Sequence, residues 1–257
     1  MTARYQDLAD QFIQRIRSGE LPPGAGLPSE SQLAAETGLS RVSVRRALEV
    51  LQVAGLITVT KGRGASVRVP RARIVRDANA RYRWEKARAQ SDDPEARAEP
   101  VVEHDSHETP RHITADYERI GVDAQLAADL GIVAGAEVVR RTYWTEGADG
   151  HQMVASVSHI PVVLIEANPE LLDASNEPWP GGTIHQLSTV GIEVASITDR
   201  VTARPPTPAE AAELGTGAGT SLLCIRKISH DTTGRVVEIS ETLLAGDRTE
   251  LVYTVEL

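Results

Sequence analysis

Leu33-Ala-Ala-Glu-Thr-Gly-Leu-Ser-Arg-Val-Ser-Val-Arg-Arg-Ala-Leu-Glu-Val-Leu51 decides the fold of the amino-terminal part of this 257-residue chain. Gly38 ends one short helical pattern, and Ser40 supplies a hydroxyl able to cap the next. Beyond it Val44, Ala47, Leu48 and Leu51 recur at i, i+3, i+4 and i+7, the spacing of a helix that buries one stripe. Arg45, Arg46 and Glu49 fall off the stripe, while Arg41 and Ser43 occupy the first turn and can project from the helix end. Upstream, Ser29 with Gln32 three residues on makes a capping box that opens the shorter helix through Thr37. Two short helices joined by a tight turn, the second basic at its start, predict a helix-turn-helix whose second helix fits a major groove.

Working outward, Tyr5, Leu8, Phe12 and Ile16 predict an amphipathic helix over 4–18, ending near Gly19. On the other side, Leu56-Ile-Thr-Val-Thr60 and Ala65-Ser-Val-Arg-Val69 alternate apolar and polar residues around Lys61-Gly-Arg-Gly64. That pattern is a β-hairpin with a glycine-rich basic tip. Gly62 and Gly64 let backbone approach a phosphate or a minor groove, and Lys61 and Arg63 add positive charge there. Helix, helix-turn-helix and basic-tipped hairpin together make a winged helix-turn-helix.

The net charge of −9 comes from 27 basic against 36 acidic side chains, and taken whole it argues against a nucleic-acid partner. Its distribution reverses that argument. Residues 1–90 carry 16 basic and 8 acidic side chains, +8, and residues 91–257 carry 11 and 28, −17. Arg71, Arg73, Arg76, Arg81, Arg83, Lys86 and Arg88 concentrate charge just after the hairpin, as a solvated linker or helix face or as a second phosphate contact. Ser91 to Pro100 is polar and poor in apolar residues. The expected organisation is a DNA-binding domain over 1–70, a basic and polar linker over 71–100, and an effector-binding and dimerisation domain over 101–257.

Cys224 is the single cysteine, which excludes an intramolecular disulfide or a multi-cysteine zinc site and suits a reducing cytoplasm. The longest apolar stretch, Ile160 to Ala167, is broken by Pro161 and Glu166, and no basic-then-apolar leader opens the sequence. No membrane span is expected.

The remainder reads as α+β. Strands are expected over 100–105, 113–120, 136–146, 151–160, 192–204, 221–230, 235–245 and 251–256, with turns at Gly147–Gly150 and Asp231–Gly234. Helices are expected at 123–130, closed by Gly131, after a Thr183/Gln186 capping box, and after Thr207-Pro-Ala-Glu210. Short hairpin connections favour a mixed, mainly antiparallel sheet over parallel winding. Catalytic patterns are weak. His104, His107 and His112 stand among carboxylates but lack an H-E-x-x-H or C-x-x-C pattern, and Ser156 and Ser158 near His159 lack a nucleophile elbow. Gly62-x-Gly64 is too short for a dinucleotide loop. Cys224, Trp144 and Trp179 suit packing, the tryptophans also a pocket wall.

Tyr5-x-x-Leu-Ala-Asp10, Gly19-Glu-Leu-Pro-Pro-Gly24, Leu27-Pro-Ser-Glu30, Leu33-Ala-Ala-Glu36, Leu39-Ser-Arg-Val-Ser-Val-Arg-Arg-Ala-Leu48 and Gly55-Leu-Ile57 resemble, in order, the GntR family of bacterial transcription regulators. The resemblance implies that Arg41 and Arg45 read or clamp operator DNA and that Gly64 or Gly62 sits in the minor groove. Arg41 and Arg45 suit base edges because a guanidinium can donate twice to guanine. Ser29 and Ser43 are expected at phosphates, and Arg46, Lys61 and Arg63 complete the expected DNA-binding set. Glu30 serves either the second helix or a base.

Val138-Val-Arg-Arg-Thr-Tyr-Trp144, Ala155-Ser-Val-Ser-His-Ile-Pro161, Gly181-Gly-Thr-Ile184, Ala203-Arg-Pro-Pro-Thr-Pro-Ala-Glu210, Ala211-Ala-Glu-Leu-Gly215, Val236-Val-Glu-Ile-Ser-Glu-Thr242 and Asp247-Arg248 resemble the UTRA effector-sensing domain of the HutC subfamily. That domain shares its fold with chorismate lyase, but the regulators use the cleft to bind small metabolites. The resemblance places Arg140 or Arg141, Ser158, Arg204, Glu241 and Tyr253 around the ligand, and an arginine there could grip an anionic group bidentately. The expectation is therefore a cytoplasmic homodimer, not an enzyme, without cofactor or metal. It would bind a palindromic double-stranded DNA operator and be released by a small-molecule effector. A lyase-like enzyme localised by its head, and a DNA-binding dimer without a ligand, remain as alternatives.

Overall fold

A computed structural model describes residues 4–60, 62, 64–71, 73–91, 112–146, 152–179, 182–216 and 219–255. The chain divides into two compact units, one of residues 1–72 with 205–221, the other of 73–204 with 222–257.

The first unit opens with α1 (Arg4–Arg17), α2 (Glu30–Thr37) and α3 (Arg41–Val53), followed by the antiparallel hairpin β1 (Ile57–Thr60) and β2 (Gly64–Val67). The expected stripe is its core: Val44, Ala47, Leu48 and Leu51 are buried against Leu8, Ala9, Phe12, Leu33 and Ile57. Both predicted caps form. Ser29 and Gln32 make the reciprocal box on α2, and Ser40 accepts from the Ser43 N–H on α3. Gly38 closes α2 in the left-handed conformation, φ 68°, which glycine adopts without the backbone strain a side chain brings.

In the second unit β3 (Ile74–Asp77) runs into α4 (Ala78–Ala89), capped by the Asp77 carboxylate at the Ala80 N–H. The body is a six-stranded antiparallel sheet in the order β4-β5-β6-β9-β8-β7. Its strands are β4 (His112–Gly121), β5 (Glu137–Glu146), β6 (Gln152–Pro161), β7 (Val194–Arg204), β8 (Leu222–Asp231) and β9 (Val236–Ala245). α5 (Ala124–Leu130) packs with Val122, Val138 and Ile239. A second core gathers Val139, Ile160, Val194 and Val237 with Ile165 of α6 (Val162–Ile165) and Ile184 and Leu187 of α7 (Gly182–Ser188). Adjacent residues Val138 and Val139 thus enter different cores, the period-two consequence of the pleat.

Four expectations change. The presumed linker is structured from Ile74 to Ala89, because β3 finds a partner in β10 (Thr249–Val252), pairing parallel from Ile74↔Thr249 to Asp77↔Val252. The last strand therefore does not join the antiparallel set. α7 opens at Gly182 rather than after Thr183, and Gln186 is buried instead of capping it. Lastly, residues 205–221 belong to the first unit: α8 (Pro208–Glu213) carries the predicted Thr207/Glu210 box, and beyond it the carbonyls of Leu214 and Gly215 accept from Arg71 at 2.7 and 3.3 Å. Arg68 donates to Thr220 at 2.8 Å. Gly219, at φ 87°, lies so close to the end of α3 that a Cβ would stand 1.7 Å from the Val53 carbonyl oxygen. The expected strand at 100–105 and turn at 147–150 lie outside the described residues.

Candidate nucleic-acid interface and effector cavity

Arg45 lies one turn into α3, and Glu30 is the first residue of α2. Helix-turn-helix geometry brings them together: Arg45 Nε donates to Glu30 Oε1 at 3.1 Å and Nη2 to Oε2 at 2.8 Å. This fork-on-carboxylate geometry fixes the guanidinium plane while leaving it solvent-exposed. The hydrogen bond from Arg45 holds the Glu30 carboxyl below its ordinary range, and the same pair raises Arg45. Glu30 thus orients an arginine. Arg41 is exposed at the start of α3.

The other expected contacts are placed differently. Ser43 Oγ lies 3.0 Å from Ser40 Oγ within the α3 cap, and Ser29 Oγ donates to Gln32 Oε1 at 2.8 Å within the α2 box, so both hydroxyls have local structural partners. Arg46 sits over the Tyr5 ring at 4.3 Å, tying α3 to α1 by a cation–π contact. At the hairpin tip Gly62 and Gly64 take φ 81° and 85° with open space where a Cβ would stand, so backbone conformation rather than crowding calls for glycine. Lys61 and Arg63 lie outside the described residues.

The second unit encloses a cavity of ≈ 240 Å³. Its floor is the sheet, where Thr145, Ser156, Ser158, Ser240 and Thr242 present hydroxyls beside Ile225 and Leu244, and its walls include α4, Trp179 and Tyr253. On the same face of β5 as Tyr143 and Thr145, Arg141 is 1% exposed, covered by residues of the lining. Its guanidinium donates to Gln186 Oε1 at 2.5 Å, Ser158 Oγ at 2.9 Å, Glu238 Oε1 at 3.0 Å and Thr183 Oγ1 at 3.4 Å. The Tyr117 and Tyr143 rings each lie 5.8 Å from it. Burial alone would raise the Glu238 carboxyl, but Lys227 at 2.8 Å and Arg141 override it and hold the group down to about 2. Glu177 accepts from Tyr117, from Tyr143 at 3.0 Å, from Gln186 at 2.8 Å and from the Trp179 N–H at 2.6 Å. Burial raises Tyr143 and Tyr117, which keeps both phenols protonated as donors.

Of the six residues expected around a ligand, Ser158 and Tyr253 line the cavity and Arg141, buried on the same face of the sheet, donates to Ser158. Arg140 pairs instead with Glu118 at 2.6 Å on the opposite face of β5, as strand alternation requires. Glu241 leaves the cavity for the same reason, lying between inward-facing Ser240 and Thr242, with Arg226 3.8 Å away. Arg204, exposed at the end of β7, is not part of the lining. The sequence reading missed Lys227, Glu238, Glu177, Asp199, Arg81 and Tyr82. Strand parity would have found Glu238 once Ser240 was placed inward. Tyr82 carried no such signal: it lies on α4, and its hydroxyl reaches both Asp199 oxygens at 3.0 and 2.9 Å.

A winged helix-turn-helix with an exposed, carboxylate-held arginine on its second helix, accompanied by an antiparallel α+β unit enclosing a small-molecule-sized cavity, defines a class of DNA-binding proteins with a sensing domain. Comparison makes the assignment specific. Residues 4–67 match the bacterial regulatory proteins of the gntR family and residues 105–250, more than half of the chain, match the UTRA domain; the chain belongs to the GntR family in its UTRA-bearing form. It is 27% identical over 252 residues to an HTH-type transcriptional regulator of Streptomyces coelicolor, covering 95% of this chain and 90% of that one. It is also 27% identical over 249 residues to the transcriptional repressor NagR of Bacillus subtilis, covering 97% and 93%. A crystal structure described as a GntR-family transcriptional regulator superposes with a TM-score of 0.68 at 25% identity, covering 100% of this chain and 98% of that one. Among the described residues no helix is long and apolar enough to cross a membrane.

Proposed function

We propose that this protein is a cytoplasmic transcriptional repressor. As a homodimer it binds a palindromic operator through its two winged heads, and it releases the operator when a small molecule occupies the cavity of its second unit. One observation carries the reading: α2 and α3 hold the Arg45 guanidinium in a fixed, exposed plane through Glu30, beside exposed Arg41. A guanidinium so oriented is matched to the O6 and N7 acceptors of guanine, so Arg41 and Arg45 are assigned to base edges and the Gly62–Gly64 tip to the minor groove. Family membership and the repressor NagR support the direction of control. The two-fold symmetry of a dimer sets the half-sites roughly 34–36 Å apart, or a multiple of that. The cavity is assigned to binding, not turnover: its buried charges are already matched, Arg141 and Lys227 by Glu238.

The test is selection of operator fragments from random DNA by the full chain, followed by anisotropy titration at fixed salt. An inverted repeat is expected, bound by two chains per site. Recovery of no preferred sequence, or of a single half-site bound by one chain, would overturn the reading.

A further inference from the structure

The cavity has a wall that neither matched segment contains. Residues 68–104 lie between the two, yet Arg81, Tyr82 and Glu85 of α4 all face the space. The helix is fastened there from several sides: Tyr82 to Asp199, Lys86 to the Val194 carbonyl at 3.2 Å, and Asn79 to the Thr254 carbonyl at 2.8 Å.

The charges around the space constrain what can enter it. Among the lining side chains three cationic ones, Arg76, Arg81 and Lys227, face five carboxylates, Asp77, Glu85, Glu177, Asp199 and Glu238, a net −2, or −1 with Arg141, which is bonded to Glu238. Two of the cations are paired with carboxylates, Lys227 with Glu238 at 2.8 Å and Arg81 with Glu85 at 2.9 Å; Arg76 also has an interaction partner, while its buried Nη1 makes no hydrogen bond. An anion entering beside Lys227 or Arg81 would have to displace a carboxylate, and one beside Arg76 would still stand in a lining that carries more carboxylates than cations. A cation gains little either, because Glu177 and Asp199 already accept from phenol, amide and backbone donors. The remaining polar lining is hydroxyl, from Thr145, Ser156, Ser240, Thr242 and Tyr253, and from Tyr82, which donates to Asp199 and whose oxygen can still accept.

We propose that α4 is part of the effector site, with Tyr82 contacting the bound molecule, and that this molecule is uncharged and hydroxyl-rich rather than anionic. The proposal rests on reading the cavity as the effector site, and it replaces the anionic ligand that an arginine-lined cleft would have suggested. Sugar-like compounds have the matching chemistry, since each hydroxyl can bridge two protein hydroxyls without disturbing an ion pair.

The experiment uses the full chain. Thermal shift and the intrinsic fluorescence of Trp84, Trp144 and Trp179 are recorded against hexoses, disaccharides and polyols, each beside its phosphate monoester, with inorganic phosphate and sulfate as further arms. Neutral compounds are expected to bind, and their esters to bind more weakly or not at all. Tyr82→Phe, which removes only the hydroxyl, should weaken the neutral compound roughly five- to tenfold, as should Ser240→Ala on the floor. Arg140→Ala, on the opposite face, should leave binding unchanged. Tighter binding of the esters or of phosphate would overturn the ligand class. A neutral ligand indifferent to Tyr82→Phe, while sensitive to Ser240→Ala, would overturn the role of α4. If no member of any arm binds, the sensor reading itself fails and takes the proposal with it.

Discussion

Arg45 and Arg141 each meet a carboxylate at close range, 2.8 Å to Glu30 in the first unit and 3.0 Å to Glu238 in the second. The side chains of the first pair are 62% and 36% exposed, and those of the second 1% and 2%. Burial makes these chemically similar pairs into different devices. In water the Arg45 pair contributes little stability and serves to aim a guanidinium outward. Out of water, Arg141 and Glu238 cannot be separated cheaply, because either one alone would be an uncompensated buried charge. One unit therefore holds its arginine outward, in the orientation the proposed DNA contact needs, and the other uses its arginine to hold the floor of a cavity.

The largest expected effect is Arg141→Met, which leaves Ser158, Glu238 and Gln186 without their common donor and should destabilise the second unit by about 3–5 kcal/mol in denaturant unfolding. A loss below about 1 kcal/mol would erase the contrast with Arg45. Next comes pH. The Glu238 carboxyl is held at about 2 against an ordinary 4.5, so the unfolded chain binds the proton more readily. Its stabilisation is complete above the ordinary value and disappears as pH falls toward 2, an effect on the order of 3 kcal/mol. Asp231, also held to about 2, chiefly by the Thr233 hydroxyl, titrates in the same window. The measurement is therefore made in an Asp231→Asn background, and a flat acid limb there would contradict the role of Glu238. Gly219→Ala, whose Cβ would strike the Val53 carbonyl, should cost the first unit about 1–3 kcal/mol. The smallest effect is on the exposed pair: Arg45→Ala should leave denaturant unfolding of the first unit essentially unchanged.

The two units also differ in how far local sequence discloses them. α1, α2 and α3 are read from a helical stripe and two caps, interactions that span at most seven residues, and they fold as that pattern dictates. Individual strands of the sheet were legible from alternation for the same reason. The pairing of β3 with β10 was not, because a parallel ladder joins residues far apart in sequence and leaves no hairpin signature between them. Nor was the inclusion of 205–221 in the first unit, which depends on Arg68, Arg71 and Gly219 meeting partners from the other end of the chain. For the site, choosing between Arg140 and Arg141 needed the face of β5, which a resemblance in the motif does not supply. Gln186 looked like a cap by spacing, and was drawn inward by a buried guanidinium that needed an acceptor.

The central claim is that the first unit reads DNA through an arginine that contributes almost nothing to stability, and the direct test is operator affinity of Arg45→Ala at fixed salt, with melting recorded on the same sample. A loss of affinity of roughly ten- to a hundredfold is expected, with unchanged melting. Undiminished affinity, or a loss that merely tracks unfolding, would contradict it.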